Sequence, residues 1–102
     1  MPETIHYVIT CAKYDKSGSI VETVGQHRWL DDGRFEPQKT LVGRSILVTN
    51  IDAGLVSYTV YQKDNQWHLG GKLVKFKVGD IDFLRTDGKK VEVDSLGDLP
   101  QC

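Results

Sequence analysis

Apolar and polar residues alternate along several short stretches of this chain, as they do in the strands of a half-buried sheet. In positions 72–78, Val74 and Phe76 face one way, while Lys75 and Lys77 face the other. A period of two predicts a strand. Similar patterns, or enrichment in β-branched and aromatic residues, predict further strands. These lie at 5–14, 20–28, 55–63, 67–69, 81–86 and 90–93, with 67–69 leading through Gly70-Gly71 into 72–78.

One segment, Leu41 to Ala53, repeats its apolar residues at helical spacing. Four of them fall within an arc of about 120° on a helical wheel, which is the width of a core-facing helix. They are Leu41, Leu47, Val48 and Ile51. Thr40 is a candidate N-cap, and Gly54 stands where a C′ glycine ends many helices. The many β-branched residues favour a strand instead, so both interpretations stay open at this point.

The predicted order of elements is β-β-α-β-β-β-β. Short turns join most of the strands, among them a hairpin turn at Asp87-Gly88 that links 81–86 to 90–93. We therefore predict an α+β fold, in which an antiparallel meander sheet of about five or six strands packs against one helix. No linker-like stretch divides the chain, so residues 1–102 are expected to form a single domain.

Charge and hydropathy narrow the classes of function. The chain has 13 basic and 14 acidic residues, with a formal net charge of −1. A dedicated binder of duplex nucleic acid needs a strongly basic surface, so this balance argues against one. No leader-like N-terminal pattern and no apolar run of membrane-spanning length is present. These features predict a cytoplasmic protein that does not associate with membranes.

The two cysteines also predict a cytoplasmic protein. Cys11 lies within a predicted strand, and Cys102 lies in the C-terminal tail. Two cysteines so placed do not suggest a disulfide framework. We expect both thiols to be reduced, with Cys11 buried and Cys102 in a frayed tail, as is usual in the cytoplasm.

Motifs for catalysis, metals and cofactors are not found in the sequence. The three histidines, His6, His27 and His68, are not at metal-ligand spacing, and no serine lies in a nucleophile elbow. We therefore expect no enzyme activity, no metal and no cofactor. His27 beside Arg28 and His68 beside Trp67 could each line a pocket.

A strand rich in lysine is the first candidate for binding. Lys75 and Lys77 share one face of it, and Trp67 and His68 precede it. Lysines and exposed aromatic rings on a sheet can hold single-stranded nucleic acid through phosphate contacts and base stacking. Because Phe76 alternates away from the two lysines, a solvated face that blocks edge-to-edge aggregation is the simpler interpretation.

Arg85 is the second candidate, because it lies in an apolar strand. Its guanidinium could pair with Asp94 across the predicted hairpin, or with Asp82, and so fix the turn. It could instead present its planar fork to an anionic ligand.

The C-terminal region carries a resemblance. Phe83-Leu84-Arg85-Thr86, Asp87-Gly88, Asp94, Leu96 and Leu99-Pro100 resemble the closing signature of domain-of-unknown-function family 3892, whose members are small bacterial proteins. Weaker similarity extends from about Tyr7 to Pro100. Ser95 stands where the family usually has asparagine, and Gly97 where it usually has a second leucine. The resemblance implies a helix at Leu41 to Ala53, but it implies no activity.

The sequence alone therefore predicts a small non-enzymatic binding or interaction module. Its partner would be a protein or a small anionic ligand. The alternative is single-stranded nucleic-acid binding on the lysine-bearing strand, and an enzyme of unrecognised type is a weaker one. The candidate ligand-binding residues are Arg85, Lys75, Lys77, Trp67 and His68.

Overall fold

A computed structural model gives the fold, and it describes residues 4–30, 34–87, 89, 91–97 and 99–102. Its elements are β1 (Tyr7–Tyr14), β2 (Val21–Leu30), β3 (Arg34–Phe35), β4 (Thr40–Gly43), α1 (Arg44–Asp52), β5 (Ser57–Lys63), β6 (Gln66–Lys72), β7 (Val74–Val78) and β8 (Ile81–Arg85). The predicted α+β class and the order of strands around one helix are confirmed. Two short strands, β3 and β4, are added before the helix.

The strands form a mixed six-stranded sheet and a separate two-stranded sheet. The main sheet has the order β3-β2-β1-β5-β6, with β4 also paired to β2, and β7 pairs with β8. Most neighbours are antiparallel, but β1 and β5 are parallel, from Tyr7 opposite Ser57 to Ile9 opposite Thr59. The prediction of a purely antiparallel meander is therefore wrong at this pair. A parallel pair needs a crossover connection, and α1 lies on the path that crosses from β4 to β5.

The helix is shorter than predicted. It begins at Arg44, with Gly43 rather than Thr40 in the N-cap position. The preceding residues instead form β4, which pairs with Thr23–Gln26 of β2. Leu41 is therefore 62% exposed on an edge strand rather than packed against the core. Hydrogen bonding to β2 and the β-branched residues of this stretch outweigh its helical periodicity.

The rest of the helical prediction is confirmed. Leu47 is buried in the core, and Val48 and Ile51 pack against it. Gly54 follows the C-cap residue with φ of +85°, the left-handed conformation expected of a C′ glycine.

The core lies between the main sheet and the layer formed by α1 and the β7–β8 hairpin. Its buried cluster joins residues from each of these parts of the fold: Ile9, Ala12, Val21, Val24, Leu47, Leu73, Leu84 and Leu96. Leu73 stands at the break between β6 and β7, where the chain leaves one sheet for the other. The predicted return strand is thus divided between two sheets, and its buried leucine anchors the crossing.

The predicted hairpin partner of β8 is not found among the described residues. β8 instead pairs with β7 in antiparallel register, from Val74 opposite Arg85 to Val78 opposite Ile81. No strand occurs at Val91 or Val93. Gly88 and Lys90 lie outside the described residues. On its other side, Arg85 makes an isolated parallel bridge to Ser95. The tail therefore returns alongside β8 in the same direction, so it cannot be a hairpin partner of that strand.

A buried carboxylate joins several elements. Asp94 accepts hydrogen bonds from the backbone N–H groups of Val21 (2.8 Å) and Leu84 (2.7 Å). It also forms an ion pair with Arg44 at the start of α1, whose guanidinium donates to the backbone carbonyl of Asp82 as well. Asp94 thus connects β2, β8 and α1, so the predicted pairing of Asp94 with Arg85 is wrong.

The two cysteines are not free. Cys11 is buried as predicted, but it forms a disulfide with Cys102 across a sequence separation of 91 residues. The tail reaches β1 because β5 pairs only with Tyr7 to Ile9, which leaves the edge beyond them open. Ala12 fills this edge by donating to the carbonyl of Pro100 (3.0 Å). The prediction of two reduced thiols is wrong, so the cysteines give no support to a cytoplasmic location.

Within the described residues, no helix combines the length and the apolar character needed to cross a membrane.

Candidate functional site

The main sheet curls until its two ends meet. Phe35 lies on β3 and Trp67 lies on β6, at opposite ends of the strand order. Their rings are nevertheless in edge-to-face contact, with centroids 5.3 Å apart. This contact makes one face of the sheet concave. The concave face is the one opposite the helix layer. Ile9 and Val24 point to the core, whereas Thr10 and His27 line the cavity on the concave face.

The concave face holds a cavity with a volume of about 730 Å³. We call it the aromatic cleft. Its lining residues are Thr10, His27, Arg34, Phe35, Pro37, Lys39, Gln66 and Trp67. They come from four strands and from the connection between β3 and β4, so only the folded sheet brings them together.

Three rings form one wall of the aromatic cleft. His27 contacts Phe35 at a centroid distance of 5.0 Å, and Phe35 contacts Trp67. Trp67 keeps 47% of its surface exposed, so part of its indole remains accessible to a ligand. Edge-to-face ring contacts of this kind fix ring orientation, which gives the wall a defined shape.

The polar floor of the cleft is a hydrogen-bonded chain. His27 is only 8% exposed, and its Nδ1 lies 2.8 Å from the carbonyl oxygen of Glu36. A carbonyl can only accept, so Nδ1 carries a proton and donates it. The other ring nitrogen, Nε2, lies 3.0 Å from Oγ1 of Thr10. Thr10 sits where the β1–β2 register shifts, and such a bulge re-aims a side chain.

Two cations complete the lining. Arg34 lies on β3, and Lys39 precedes β4. The stem of Lys39 lies over Gly25, because a Cβ added to that glycine would be 2.6 Å from Cδ of the lysine. The same hypothetical Cβ would be 2.5 Å from Sγ of Cys11, so the disulfide adjoins this side of the cleft.

A smaller cavity of about 210 Å³ adjoins the cleft and shares Phe35 and Trp67 with it. His68 lines this second cavity, and its ring stacks on Tyr61 at 5.4 Å. Of the five predicted candidates, Trp67 therefore lines the aromatic cleft and His68 lies next to it.

Arg85 is engaged within the protein. Its Nε and Nη2 atoms donate to the two carboxylate oxygens of Asp87 at 2.8 and 2.7 Å, and Nη1 donates to the carbonyl of Val93. The predicted structural partner, Asp94 or Asp82, is thus replaced by Asp87. These hydrogen bonds raise the pKa of Arg85 and hold the pKa of Asp87 well below its usual range. Arg85 does not line the aromatic cleft.

The lysine-bearing strand is separate from the cleft. Lys75 forms ion pairs with Asp52 (2.6 Å) and Asp82 (3.6 Å), and its hydrogen bond to Asp52 raises its pKa. Lys77 is exposed on the same strand. Phe76 faces Phe83 at a centroid distance of 5.5 Å. Neither lysine lines the aromatic cleft, so the predicted candidates divide between two parts of the surface.

Sequence reasoning missed most of the cleft. His27 was recognised only as a possible pocket residue, and Thr10, Phe35 and Lys39 were not singled out. Their positions in the sequence give no shared signal, because the contact between β3 and β6 arises from sheet curvature. Among the described residues, no group of three or more His, Cys, Asp or Glu side chains is placed to hold a metal ion.

Searches against protein-family models, curated proteins and solved structures give no match for this chain.

Proposed function

We propose that this protein is a small non-enzymatic binding module whose aromatic cleft binds a small ligand with a flat apolar body and an anionic group. The supporting observation is the contact between Phe35 and Trp67, which borders an open cavity of about 730 Å³ lined by both aromatic rings and cations. Its volume falls in the range of about 300–1,000 Å³ typical of small-molecule sites.

The lining chemistry supports this class of ligand. Ring walls favour a flat apolar body, because a planar group can stack or meet the rings edge to face. Lys39 also lines the cleft, and its positive charge favours a negatively charged group there. Membership of domain-of-unknown-function family 3892 stays a prediction beside this proposal, and it adds no ligand.

A fluorescent aromatic anion tests the proposal. We expect 8-anilinonaphthalene-1-sulfonate to bind the native protein with one dominant site and to quench Trp67. Trp67→Ala should weaken binding about tenfold, which corresponds to about 1.4 kcal/mol. Tyr61→Ala is the matched control, because Tyr61 is 48% exposed and lies on the adjacent strand without lining the aromatic cleft. Equal affinity of the two variants would refute the cleft as the binding site.

A second pair of variants tests the charge. Lys39→Gln should weaken binding of the sulfonate several-fold and flatten its dependence on salt, because an exposed ionic contact is screened. Lys77→Gln removes the same charge from a strand outside the cleft. Equal loss in both variants would mean that net charge, rather than a site, attracts the probe.

The nucleic-acid alternative remains a prediction with its own measurement. Lys75 is engaged by two carboxylates and Phe76 is packed against Phe83, so neither is presented for phosphate contact or base stacking. We therefore place this function second. Salt-sensitive binding of a single-stranded oligonucleotide that is lost in Lys77→Gln but retained in Trp67→Ala would reverse that order.

A further inference from the structure

The polar floor of the aromatic cleft contains a histidine whose hydrogen bonds depend on its protonation. Nδ1 of His27 donates to the carbonyl of Glu36 in either state, since that carbonyl cannot donate. In the neutral ring, Nε2 must accept, so the hydroxyl of Thr10 donates its proton to the ring. The hydroxyl oxygen then offers only lone pairs to the cleft, which an anion does not favour.

Protonation of His27 reverses this hydrogen bond. Nε2 then donates to Oγ1 of Thr10 across the same 3.0 Å, and the hydroxyl proton becomes available to another acceptor. Thr10 lines the cleft, so an anionic group inside it is such an acceptor. The hydrogen bond to an anion would be charge-assisted and therefore stronger than a neutral one.

The groups around the imidazole link protonation of His27 to binding of an anion. Thr10 of β1 and the backbone carbonyl of Glu36 contact the imidazole directly, and Phe35 of β3 packs against it. The charged groups that share its cavity are Arg34 and Lys39, both cationic, while β6 contributes Gln66 and Trp67. Arg28, one residue along β2, is a further cation on the exposed surface. An anion bound at the hydroxyl of Thr10 places a negative charge beside His27, and an opposite charge nearby favours the charged imidazole over the neutral one.

From this geometry we propose that the aromatic cleft binds the anionic group of its ligand at the hydroxyl of Thr10, and that His27 takes up a proton when the ligand binds. This inference rests on the proposed function and names both the anion subsite and its regulation by pH. Histidine changes charge between about pH 5 and 8, so lowering the pH within that range strengthens binding.

The test uses 8-anilinonaphthalene-1-sulfonate, because its sulfonate stays ionised throughout this range and any titration belongs to the protein. We expect affinity to rise about tenfold between pH 8 and pH 5.5. Calorimetry at several pH values between 5.5 and 8, in two buffers of different ionisation enthalpy, should show fractional proton uptake that peaks at roughly 0.5 proton per probe bound, the uptake that matches a tenfold change in affinity. A pH-independent affinity with no proton uptake would overturn the inference.

Three variants assign the effect. His27→Gln and Thr10→Val should each abolish the pH dependence, and Thr10→Val keeps the shape of the side chain if His27→Gln does not fold. His68→Gln is the control, because His68 lines only the adjoining cavity. Proton uptake that persists in Thr10→Val, or is lost in His68→Gln, would contradict the assignment.

Failure of this inference differs from failure of the proposed function. Binding that depends on Trp67 but takes up no proton would leave the cleft as a binding site and overturn only the role of His27. Lack of binding that depends on Trp67 would overturn both.

Discussion

At the scale of single residues, Gly25 shows how closely the disulfide and the sheet approach each other. We expect Gly25→Ala to lower the free energy of unfolding by roughly 1–3 kcal/mol, the usual cost of overpacking. Lys39 can move away from the new methyl group, but Sγ of Cys11 is held by its bond to Cys102. Urea denaturation measures the loss.

Gly43→Ala is the control for this substitution, because the nearest atom to its added Cβ is 3.9 Å away. It should cost less than about 1 kcal/mol. The cost of Gly25→Ala should be smaller in a protein that lacks the disulfide than in the disulfide-bonded protein, because the side chain of residue 11 can then move away from the new methyl group. An equal cost in both proteins would mean that the clash lies elsewhere.

Asp87 gives a pH-dependent prediction at the same scale. Its pKa is lower in the folded protein because Arg85 and the backbone N–H of Lys89 donate to the carboxylate. The stabilisation is therefore complete above the unfolded pKa of about 3.9 and declines as the pH falls below it. Asp87→Asn should be less stable than the wild type at pH 7, and the gap should narrow below about pH 4.

Urea denaturation at several pH values between 7 and 3 measures this gap. A constant difference across the range would mean that Arg85 does not depend on the charge of Asp87.

At the scale of elements, Asp94 holds together parts of the chain that are distant in sequence. Asp94→Asn should cost about 3–5 kcal/mol, because it leaves Arg44 without its counter-charge. An amide also has only one oxygen, whereas both carboxylate oxygens accept from backbone N–H groups. Glu92→Gln, at an exposed position two residues away, should change stability by less than about 0.5 kcal/mol. Similar losses in urea denaturation would disprove the role of Asp94.

At the scale of the whole molecule, the disulfide closes almost the entire chain into a loop. Its cysteines are 91 residues apart, so Cys102→Ser should lower stability by about 2–5 kcal/mol, chiefly by releasing that constraint on the unfolded chain. Cys11→Ser should give a similar loss. Reduction by dithiothreitol should lower the free energy of unfolding of the wild type to that of the variants. Equal stability of the oxidised and reduced wild type would refute this prediction.

Local patterns determined much of the fold. Period-two alternation located the central strands, and the spacing of Leu47, Val48 and Ile51 located the buried side of α1. Gly54 marked the end of the helix, because only a residue that tolerates positive φ fits there. Each of these signals depends on neighbours within a few residues, so the sequence alone contains it.

Choices of partner were decided only in the tertiary structure. The sequence made Leu41 look helical, whereas pairing with β2 made it part of an edge strand. The sequence suggested that Asp94 pairs with Arg85, whereas in the structure Asp94 forms an ion pair with Arg44 and Arg85 forms one with Asp87. Hydrogen-bond donors and charges have several possible partners along a chain, and only the folded arrangement selects among them.

The sequence by itself determined the class of the fold, its helix and most of its strands, because backbone propensity and hydrophobic periodicity are local properties. Tertiary structure alone decided the disulfide and the aromatic cleft. Cys102 reaches Cys11 because β5 leaves one edge of β1 open, and Phe35 reaches Trp67 because the sheet curls. Both contacts join residues far apart in the chain, and curvature and edge pairing are properties of the assembled sheet.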